Sequence, residues 1–280
     1  MKKVLVTGSN GLLGQKLTSL FKEKNDFELI ASGKGENRNP DKVGYLYISL
    51  DITNQKEVDE VMQRVEPDFV INTAAMTNVD HCEDDKENCW ALNVDAVSYF
   101  VNACEKHNSF LLHLSTDFIF DGEDGPYTED AQANPVSYYG ESKLAAEKII
   151  LESSINWSIA RTVLVYGITP NMSRSNIILW VKKSLEEGKQ INVVNDQWRT
   201  PTLAEDLAMG CFLIIKNQAK GIYNISGEDF LNPYQMAEKT AVFFNLDTST
   251  MNETDGTSFK QKAQRPPKTG FILDLSLIHI

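Results

Sequence analysis

The sequence predicts an α/β protein with a doubly wound parallel sheet and a smaller α+β lid. Two observations predict this fold. Over residues 1–162, short runs of β-branched residues alternate with amphipathic helical stretches, as in parallel strands joined by crossover helices. After residue 162 the alternation becomes irregular, and short strands are mixed with three helical stretches. Such a region is typical of a lid over the carboxyl edge of an open sheet, where these folds bind ligands.

The first half contains six predicted strands and four predicted helices. The strands are residues 3–7, 27–31, 45–49, 69–72, 110–115 and 157–162. The helices are residues 12–24, 55–65, 84–107 and 137–153. In the first helix, Leu13, Leu17 and Phe21 share one face, as core-facing helical residues do. Thr53 or Asn54 is suited to cap the second helix. In the second half, helices are predicted at 175–187, 203–216 and 234–245, and strands at 191–194 and 222–225.

The composition is that of an ordinary globular protein, with 42% hydrophobic and 24% charged residues. A formal net charge of -12 repels phosphate backbones and anionic membranes, so we expect no nucleic-acid or membrane partner. No apolar run is long enough to span a bilayer. The four cysteines lack metal-site spacing, which favours reduced thiols in a cytoplasmic protein and no metal site. The sequence leaves the oligomeric state open, with a homodimer as one alternative.

The last six residues, 275–280, read LSLIHI. This string matches one translated frame of a common transposase sequencing adapter. We therefore expect these residues to be a non-native scar and exclude them from the interpretation of the fold.

A glycine-rich turn follows the first predicted strand. Gly8, Gly11 and Gly14 in the segment GSNGLLG permit a tight turn, close approach of a pyrophosphate and close helix–strand packing. The following helix directs its partly positive N-terminus at the phosphates. The context predicts a Rossmann-like NAD(P)-binding domain over residues 1–162, with parts of about 188–225 returning to it. Residues 163–274 are then expected to be mainly a substrate-binding lid.

The end of the second strand bears on the choice of cofactor. An acidic residue in this region normally binds the ribose 2′-hydroxyl of NAD. Here the strand is followed by Ser32-Gly33-Lys34, with Arg38 nearby, and no carboxylate stands at its tip. Cations at this place suit the 2′-phosphate of NADPH, so the sequence favours NADPH. Glu36 lies close enough to keep NADH as the alternative.

Three side chains form a candidate catalytic group. Tyr139 and Lys143 are four residues apart at the start of a predicted helix, so their side chains share one face. A neighbouring ammonium is expected to lower the pKa of the phenol, which makes Tyr139 a usable proton donor. Thr116 is expected at the carboxyl tip of the fifth strand, where its hydroxyl can bond a substrate oxygen beside Tyr139.

These motifs resemble those of the extended short-chain dehydrogenase/reductases, and within them the dTDP-4-dehydrorhamnose reductases. The resemblance runs from Lys2 to about Asp274. It is carried by VTGSNGLLG (6–14), NTAAMTNVDHCE (72–83), STDFIFDG (115–122) and YYGESK (138–143). Shorter matches are Asp51-Ile52, Asn93-Val94, Arg161-Thr162, Asp196-Gln197, Pro201-Thr202 and Arg265-Pro266.

The resemblance implies NAD(P)H-dependent reduction of the 4-keto group of a dTDP-linked deoxysugar, the last step to dTDP-rhamnose. It implies Tyr139 as proton donor, Thr116 as its partner and Lys143 as the group that orients them. With the glycine turn, the predicted cofactor contacts are Gly8, Asn10, Gly11, Leu12, Leu13, Gly14, Lys34, Arg38, Asp51, Ile52, Ala74, Ala75, Met76, Thr77, Tyr139 and Lys143. The predicted substrate contacts are Thr116, Asp117 and Arg199, the last being the first choice for a diphosphate among Arg199, Lys182, Arg174 and Arg265.

Two positions depart from related patterns and define the rival functions. Leu164 stands where the reductase family usually has a tryptophan, which leaves the sugar open. Phe118 stands where the similar 4,6-dehydratases need a glutamate, which argues against dehydration. A nucleotide-sugar epimerase on the same fold remains an alternative. Another is a cofactor-binding regulatory subunit similar to the β subunit of methionine adenosyltransferase.

Overall fold

The computed structural model describes residues 1–172, 175–259 and 261–275. Its strands are β1 (Lys3–Thr7), β2 (Glu28–Gly33), β3 (Leu46–Ser49), β4 (Phe69–Asn72), β5 (Phe110–Thr116), β6 (Trp157–Thr162), β7 (Val165–Tyr166), β8 (Ile191–Val194), β9 (Thr202–Leu203), β10 (Gly221–Ile225) and β11 (Met251–Thr254). Its α-helices are α1 (Leu12–Lys24), α2 (Gln55–Val65), α3 (Val79–Asp84), α4 (Lys86–Trp90), α5 (Ala96–His107), α6 (Tyr138–Leu151), α7 (Ile177–Glu186), α8 (Ala204–Asn217) and α9 (Pro233–Phe244).

The main sheet has seven strands in the order β10-β6-β5-β4-β1-β2-β3, and all neighbouring strands are parallel. Successive side chains of a strand face opposite sides of the sheet. In β1, Leu5 belongs to the core under α2, α5 and α6, whereas Val4 and Val6 belong to the core under α1 and α8. Helices therefore cover both faces, which confirms the predicted doubly wound, Rossmann-like sheet.

The helix ends follow from local capping residues. Asn54 caps α2, since its side chain accepts hydrogen bonds from the Lys56 and Glu57 backbone N–H groups. Ser137 caps α6, the helix that begins at Tyr138, by accepting from the Gly140 N–H. These side chains satisfy N–H groups that a helix leaves unpaired at its start.

One predicted helix is interrupted. The stretch 84–107 is predicted as a single helix, but Asp84 ends α3, Asp85 caps α4, and α4 is followed by a π-helical turn at Ala91–Asp95 and then by α5. The turn brings the buried side chain of Asn93 to the backbone of Met76. Single π-helical turns are common where a side chain must be re-aimed toward a site. The sequence pattern did not predict this interruption, because the hydrophobic spacing continues through it.

The second half of the chain contributes to two parts of the fold, the main sheet and a smaller layer. Residues 204–225 supply α8 and the edge strand β10 to the main sheet. A smaller layer is formed by α7, α9 and the parallel pair β8–β11, around a core that includes Val181, Ala237 and Met251. The two-residue strands β7 and β9 pair with each other. Together with β11, they were not predicted, because they are too short or too polar to show a period. The domain boundary at residue 162 stays a prediction.

Two further sequence expectations concern the chain as a whole. Within the described ranges, no helix is long and apolar enough to cross a bilayer. The expected non-native segment 275–280 stays a prediction, because residues 276–280 lie outside the described part of the chain.

A buried ion pair ties β6 to α6. The Nη2 and Nε atoms of Arg161 lie 2.7 and 3.0 Å from the carboxylate oxygens of Glu147, and Nη1 donates to the Glu129 carbonyl at 2.8 Å. Both charged side chains are nearly inaccessible to solvent. Each ion therefore depends on the other to offset its loss of hydration.

We predict that Arg161→Met lowers the free energy of unfolding by about 3–5 kcal/mol, because it leaves the Glu147 carboxylate buried and unpaired. Lys106→Met is the matched control. Lys106 pairs with Asp59 at 3.5 Å on the surface, and its loss should cost less than about 1 kcal/mol. Chemical denaturation measures both values. Equal losses in the two variants would contradict the role given to the buried pair.

Candidate active site

A cleft of about 980 Å³ opens along the carboxyl edge of the main sheet. Its floor comes from the glycine turn after β1, the loop after β4, and the ends of β5 and β6. Its other wall comes from α7 and from segments near residues 197 and 265. The predicted site residues that line it are Gly8, Asn10, Gly11, Leu12, Leu13, Gly14, Ala75, Met76, Thr77, Thr116, Asp117, Tyr139, Lys143 and Arg199.

The glycine turn is shaped by close backbone packing. Gly8 has a φ of +65°, and a Cβ there would lie 2.7 Å from Thr73 Oγ1. A Cβ on Gly14 would lie 2.2 Å from the Gly8 carbonyl oxygen. Gly11 is the N-cap of α1 and supplies no side-chain cap, so the first N–H groups of the helix point to the cleft without a capping side chain. This cradle fits a phosphate group, which such N–H groups and the helix dipole bind.

Asn10 fixes a second loop beside this turn. Its Nδ2 donates to the Glu36 carbonyl at 2.9 Å, and its Oδ1 accepts from the Arg38 N–H at 2.8 Å. Lys34, in the same loop, is largely exposed and pairs with Asp51 at 2.6 Å. The structure thus places Lys34 and Arg38 in a loop held next to the phosphate cradle. Their contact with a 2′-phosphate stays a prediction.

Besides Lys34 and Arg38, three predicted cofactor contacts lie outside the cleft lining. Asp51 forms the ion pair with Lys34, and Ile52 is buried in the core near α2. The backbone of Ala74 packs against the glycine turn, 2.9 Å from where a Gly8 Cβ would stand. The cofactor contacts of all three stay predictions.

Asn93 clamps the loop that follows β4. Its Oδ1 accepts from the Met76 N–H at 2.8 Å, and its Nδ2 donates to the Met76 carbonyl at 3.1 Å. The same Nδ2 lies 3.0 Å from the Ser142 hydroxyl oxygen on α6. One buried amide therefore connects the predicted cofactor loop 75–77 with the helix that carries Tyr139.

Tyr139 and Thr116 meet at the floor of the cleft. Tyr139 lies in the first turn of α6, Thr116 ends β5, and their hydroxyl groups are hydrogen-bonded. Burial raises the pKa of the Tyr139 phenol, and the Thr116 hydrogen bond opposes this only in part. The expectation that Lys143 lowers the Tyr139 pKa was wrong, because the cost of charging a buried phenol outweighs any such attraction. The phenol therefore holds its proton at neutral pH and is available as a donor.

Lys143 lies one turn further along α6 and is also buried. Its Nζ donates to the Leu114 carbonyl at 2.7 Å and lies 2.9 Å from His113 Nε2. Burial lowers the pKa of Lys143 to about 8, and Glu147 and Cys89 act in the opposite direction. The amine can therefore gain or lose a proton near neutral pH. His113 was not predicted as a site residue, and the only sequence signal was a polar residue inside an apolar strand.

Asp117 is a buried carboxylate beside the hydroxyl pair. It accepts a hydrogen bond from Thr116 Oγ1 at 3.0 Å and another from the Thr269 hydroxyl, and Arg199 Nε lies 3.4 Å away. Burial raises the pKa of Asp117, and the Arg199 guanidinium opposes the rise. Asp117 thus connects the end of β5 with the second half of the chain.

Arg199 has most of its donors engaged within the protein. Besides Asp117, it donates to the backbone carbonyl groups of Trp198, Pro266 and Pro267. Among the weaker candidates for a diphosphate, Lys182 pairs with Glu186 at 2.6 Å, and Arg174 lies outside the described residues. The contact of Arg199 with substrate stays a prediction.

The C-terminal segment is fastened to α3 across one side of the cleft. Arg265 lines the cleft and pairs with Asp80 at 2.7 Å, and Lys262 pairs with Asp84 at 2.6 Å. The Ala263 N–H also donates to Asp80 Oδ1. Arg265 is therefore held at the cleft by a residue that neighbours the predicted cofactor loop.

The two positions that depart from related proteins both face the cleft. The Phe118 ring lies 5.7 Å from the Tyr139 ring and 5.7 Å from the Arg199 guanidinium. It therefore occupies the place beside the phenol without offering a titratable group. Leu164 also lines the cleft, and so do the aromatic rings of Tyr166 and Trp180. The aromatic surface missing at Leu164 is thus available from residues that the sequence did not single out.

No cluster of three or more potential metal ligands occurs in residues 1–172, 175–259 and 261–275.

We predict that Asn93→Leu weakens NADPH binding by about tenfold, because the loop after β4 loses the two hydrogen bonds between Met76 and the Asn93 amide. Binding is measured by the fluorescence of NADPH. Ser98→Ala is the matched control, since Ser98 bonds only the Asp95 carbonyl in the same helical region. If both variants bound NADPH as tightly as the wild type, Asn93 would have no part in shaping the site.

Comparison with known proteins gives a consistent assignment. Residues 1–275 match the family model described as the RmlD substrate binding domain. The chain is 32% identical to a dTDP-4-dehydrorhamnose reductase from Aggregatibacter actinomycetemcomitans, over 99% of this chain and 92% of that protein. It is 30% identical to methionine adenosyltransferase 2 subunit beta from Xenopus tropicalis, over 89% of this chain and 74% of that protein.

Solved structures show the same relationship. A dTDP-4-dehydrorhamnose reductase from Bacillus anthracis in complex with NADP superposes with a TM-score of 0.84 at 26% identity, covering 98% of this chain and 92% of that one. A hypothetical dTDP-4-dehydrorhamnose reductase from Sulfolobus tokodaii gives 0.84 at 30% identity, covering 96% and 91%. The chain therefore belongs to the RmlD substrate binding domain family.

Proposed function

We propose that this protein reduces the 4-keto group of a nucleotide-linked deoxysugar with NADPH, as a dTDP-4-dehydrorhamnose reductase does. The observation that carries the proposal is the placement of Tyr139, Thr116 and Lys143 in the same cleft as the phosphate cradle. The relatives that bear this name, and the relative solved with NADP, support it. NADH is the secondary cofactor.

The cradle and its neighbouring loop would hold the cofactor. The N–H groups at the start of α1, from Leu12 onward, would bind the pyrophosphate, and Lys34 and Arg38 would face the 2′-phosphate. The loop 75–77, fixed by Asn93, would border the nicotinamide end. When bound, the cofactor supplies a hydride to the carbonyl carbon.

The chain's own residues supply the proton and the orientation. Tyr139, kept protonated by burial, donates its proton to the oxygen of the carbonyl group as negative charge develops there. Thr116 contacts the same oxygen and fixes its direction toward the phenol. Lys143, in its ammonium form, stabilises the phenolate that remains on Tyr139.

The wall formed by the second half of the chain would bind the nucleotide. Trp180 and Tyr166 offer aromatic faces for a base or sugar, and Arg265 offers a cation close to the cleft. Asp117 and Arg199 lie where the sugar would enter, beside Thr116. We accordingly propose that residues 163–274 are mainly the substrate-binding part, apart from α8 and β10.

The rival functions differ at specific residues. Elimination of water needs an acid and a base at neighbouring sugar carbons, and Phe118 cannot move a proton. A regulatory subunit would not need Tyr139, Thr116 and Lys143 to converge in the cleft.

We also propose a cytoplasmic location, which the four buried free cysteines support. A homodimer stays a prediction.

We predict that Tyr139→Phe lowers kcat by about 10²–10⁴-fold, because the proton donor is lost while the ring remains. NADPH oxidation with dTDP-4-dehydro-6-deoxy-L-mannose measures the effect. Tyr138→Phe is the matched control, since Tyr138 is outside the cleft lining and packs against Trp90. It should keep wild-type turnover.

Two outcomes would overturn this assignment. Wild-type turnover by Tyr139→Phe would show that another group donates the proton. Tight NADPH binding by the wild type, without turnover across a panel of nucleotide keto-sugars, would favour the regulatory function. Equal use of several keto-sugars would leave the reaction class intact and broaden the substrate.

We predict that Lys34→Ala raises the KM for NADPH by about 10–100-fold and changes the KM for NADH little, because only NADPH carries the 2′-phosphate. Lys42→Ala, at an exposed lysine of the same region, is the control. The ratio of kcat/KM for the two cofactors is the measurement. An unchanged ratio in Lys34→Ala would remove Lys34 from the cofactor site.

A further inference from the structure

Three polar side chains form a row across the middle of the main sheet. Thr7 on β1 is in register with Asn72 on β4, and Asn72 is in register with His113 on β5. All three are essentially inaccessible to solvent. They lie on the same face of the sheet as Leu5, Val70 and Leu111, each two residues earlier on its strand, whose side chains lie in the core under α2, α5 and α6. A row of polar groups inside an apolar core is costly unless each group is hydrogen-bonded.

The row is hydrogen-bonded from end to end and reaches Lys143. Thr7 Oγ1 lies 2.7 Å from Asn72 Oδ1, and Asn72 Nδ2 lies 3.2 Å from His113 Nδ1. On the other side of the ring, His113 Nε2 lies 2.9 Å from Lys143 Nζ. The chain of contacts therefore runs from Lys143 to the residue that immediately precedes the glycine turn.

We propose that His113 is a positioning residue for Lys143. Its ring holds the amine in place, and the ring changes tautomer when the charge of that amine changes. Asn72 and Thr7 rearrange their hydrogen bonds to accommodate the new tautomer. The inference rests on the proposed function only for its effect on turnover. The hydrogen-bond row itself exists without substrate or cofactor.

Counting protons gives two self-consistent arrangements of the row. An ammonium at Lys143 must donate to Nε2, so His113 carries its proton on Nδ1, Asn72 Oδ1 accepts it, and Asn72 Nδ2 donates to Thr7. A neutral amine has a free lone pair and can accept from an Nε2–H, and in that order Nδ1 accepts from Asn72 Nδ2 and Asn72 Oδ1 accepts from Thr7. The orientation of the Asn72 amide in the structure matches the second order. Asn72 can pass between the two by turning its amide through half a turn, because the amide oxygen and nitrogen have nearly the same shape.

Within the row, Lys143 is the group that titrates. Burial lowers the pKa of His113 well below its ordinary value, with the Lys143 charge as a further cause, so the ring stays neutral. The other charged or titratable groups acting on Lys143 are Glu147 on its own helix and Cys89 on α4. Glu147 is held by Arg161, and the pKa of Cys89 is lowered to about 7, chiefly by Cys82.

The first test reads the tautomer of His113 by the ¹⁵N shifts of the ring in the cofactor-free protein. The signal is assigned by its loss in His113→Gln, and His107→Gln serves as the assignment control. The spectra are compared two pH units below and two pH units above the Lys143 pKa of about 8. We expect the ring proton of His113 on Nδ1 at the lower pH and on Nε2 at the higher pH. A ring that keeps one tautomer at both values would overturn the proposal, whatever the enzyme's activity.

The second test uses turnover. If turnover needs the Lys143 ammonium, activity falls as the pH rises through the Lys143 pKa. Removing the His113 ring removes a hydrogen-bond acceptor for that ammonium, which lowers the Lys143 pKa. His113→Leu should therefore move the basic limb of the kcat/KM profile about one pH unit lower. His113→Gln keeps an acceptor and should restore most of the shift. Equal profiles for His113→Leu and the wild type, both folded by circular dichroism, would contradict the positioning role.

Cys89→Ser separates the two groups that titrate in this range. If the basic limb belongs to Lys143, it persists in Cys89→Ser and still moves when His113→Leu is added. If the limb disappears in Cys89→Ser, it belongs to the thiol, and the proposed effect of His113 on turnover is wrong. A wild type without turnover would refute the proposed function while leaving the tautomer experiment decisive for the row.

Discussion

The parallel register of β1, β4 and β5 is the constraint on which the rest of the site depends. Because these strands run in the same direction and pair residue by residue, all three end at the same edge of the sheet. Gly8, Thr73 and Thr116 are thereby brought to the floor of one cleft, although they are far apart in the sequence. The same register aligns Thr7, Asn72 and His113 inside the sheet. A slip of one residue in any pair would turn this polar row to the opposite face.

Burial, rather than close pairing of charges, sets the protonation of the catalytic group. It raises the pKa of Tyr139 and Asp117 and lowers that of Lys143, which favours the neutral form at each place. A proton donor that keeps its proton and an amine that titrates near neutrality suit a reaction that adds a proton to a new alkoxide.

A few polar contacts join the main sheet to the segments that form the second wall of the cleft. Asp117 accepts from Thr269 and faces Arg199, and Asp80 holds Arg265 at the cleft. These contacts join the end of β5 and the start of α3 to the segment that closes the second wall.

The sequence alone determined the fold class and predicted the candidate catalytic group of Tyr139, Lys143 and Thr116. Its signals were local patterns: the β-rich runs, the glycine turn and the spacing of Tyr139 and Lys143. Such patterns can be read within one segment, because the hydrophobic period indicates a strand or a helix and short motifs indicate particular turns and sites. Only the tertiary structure decided what depends on residues distant in the chain. The π-helical turn at Asn93 follows from its bonds to Met76, the raised Tyr139 pKa follows from burial under several elements, and the link between His113 and Lys143 follows from packing α6 on β5. None of these has a signature within one segment, because each depends on atoms that folding brings together.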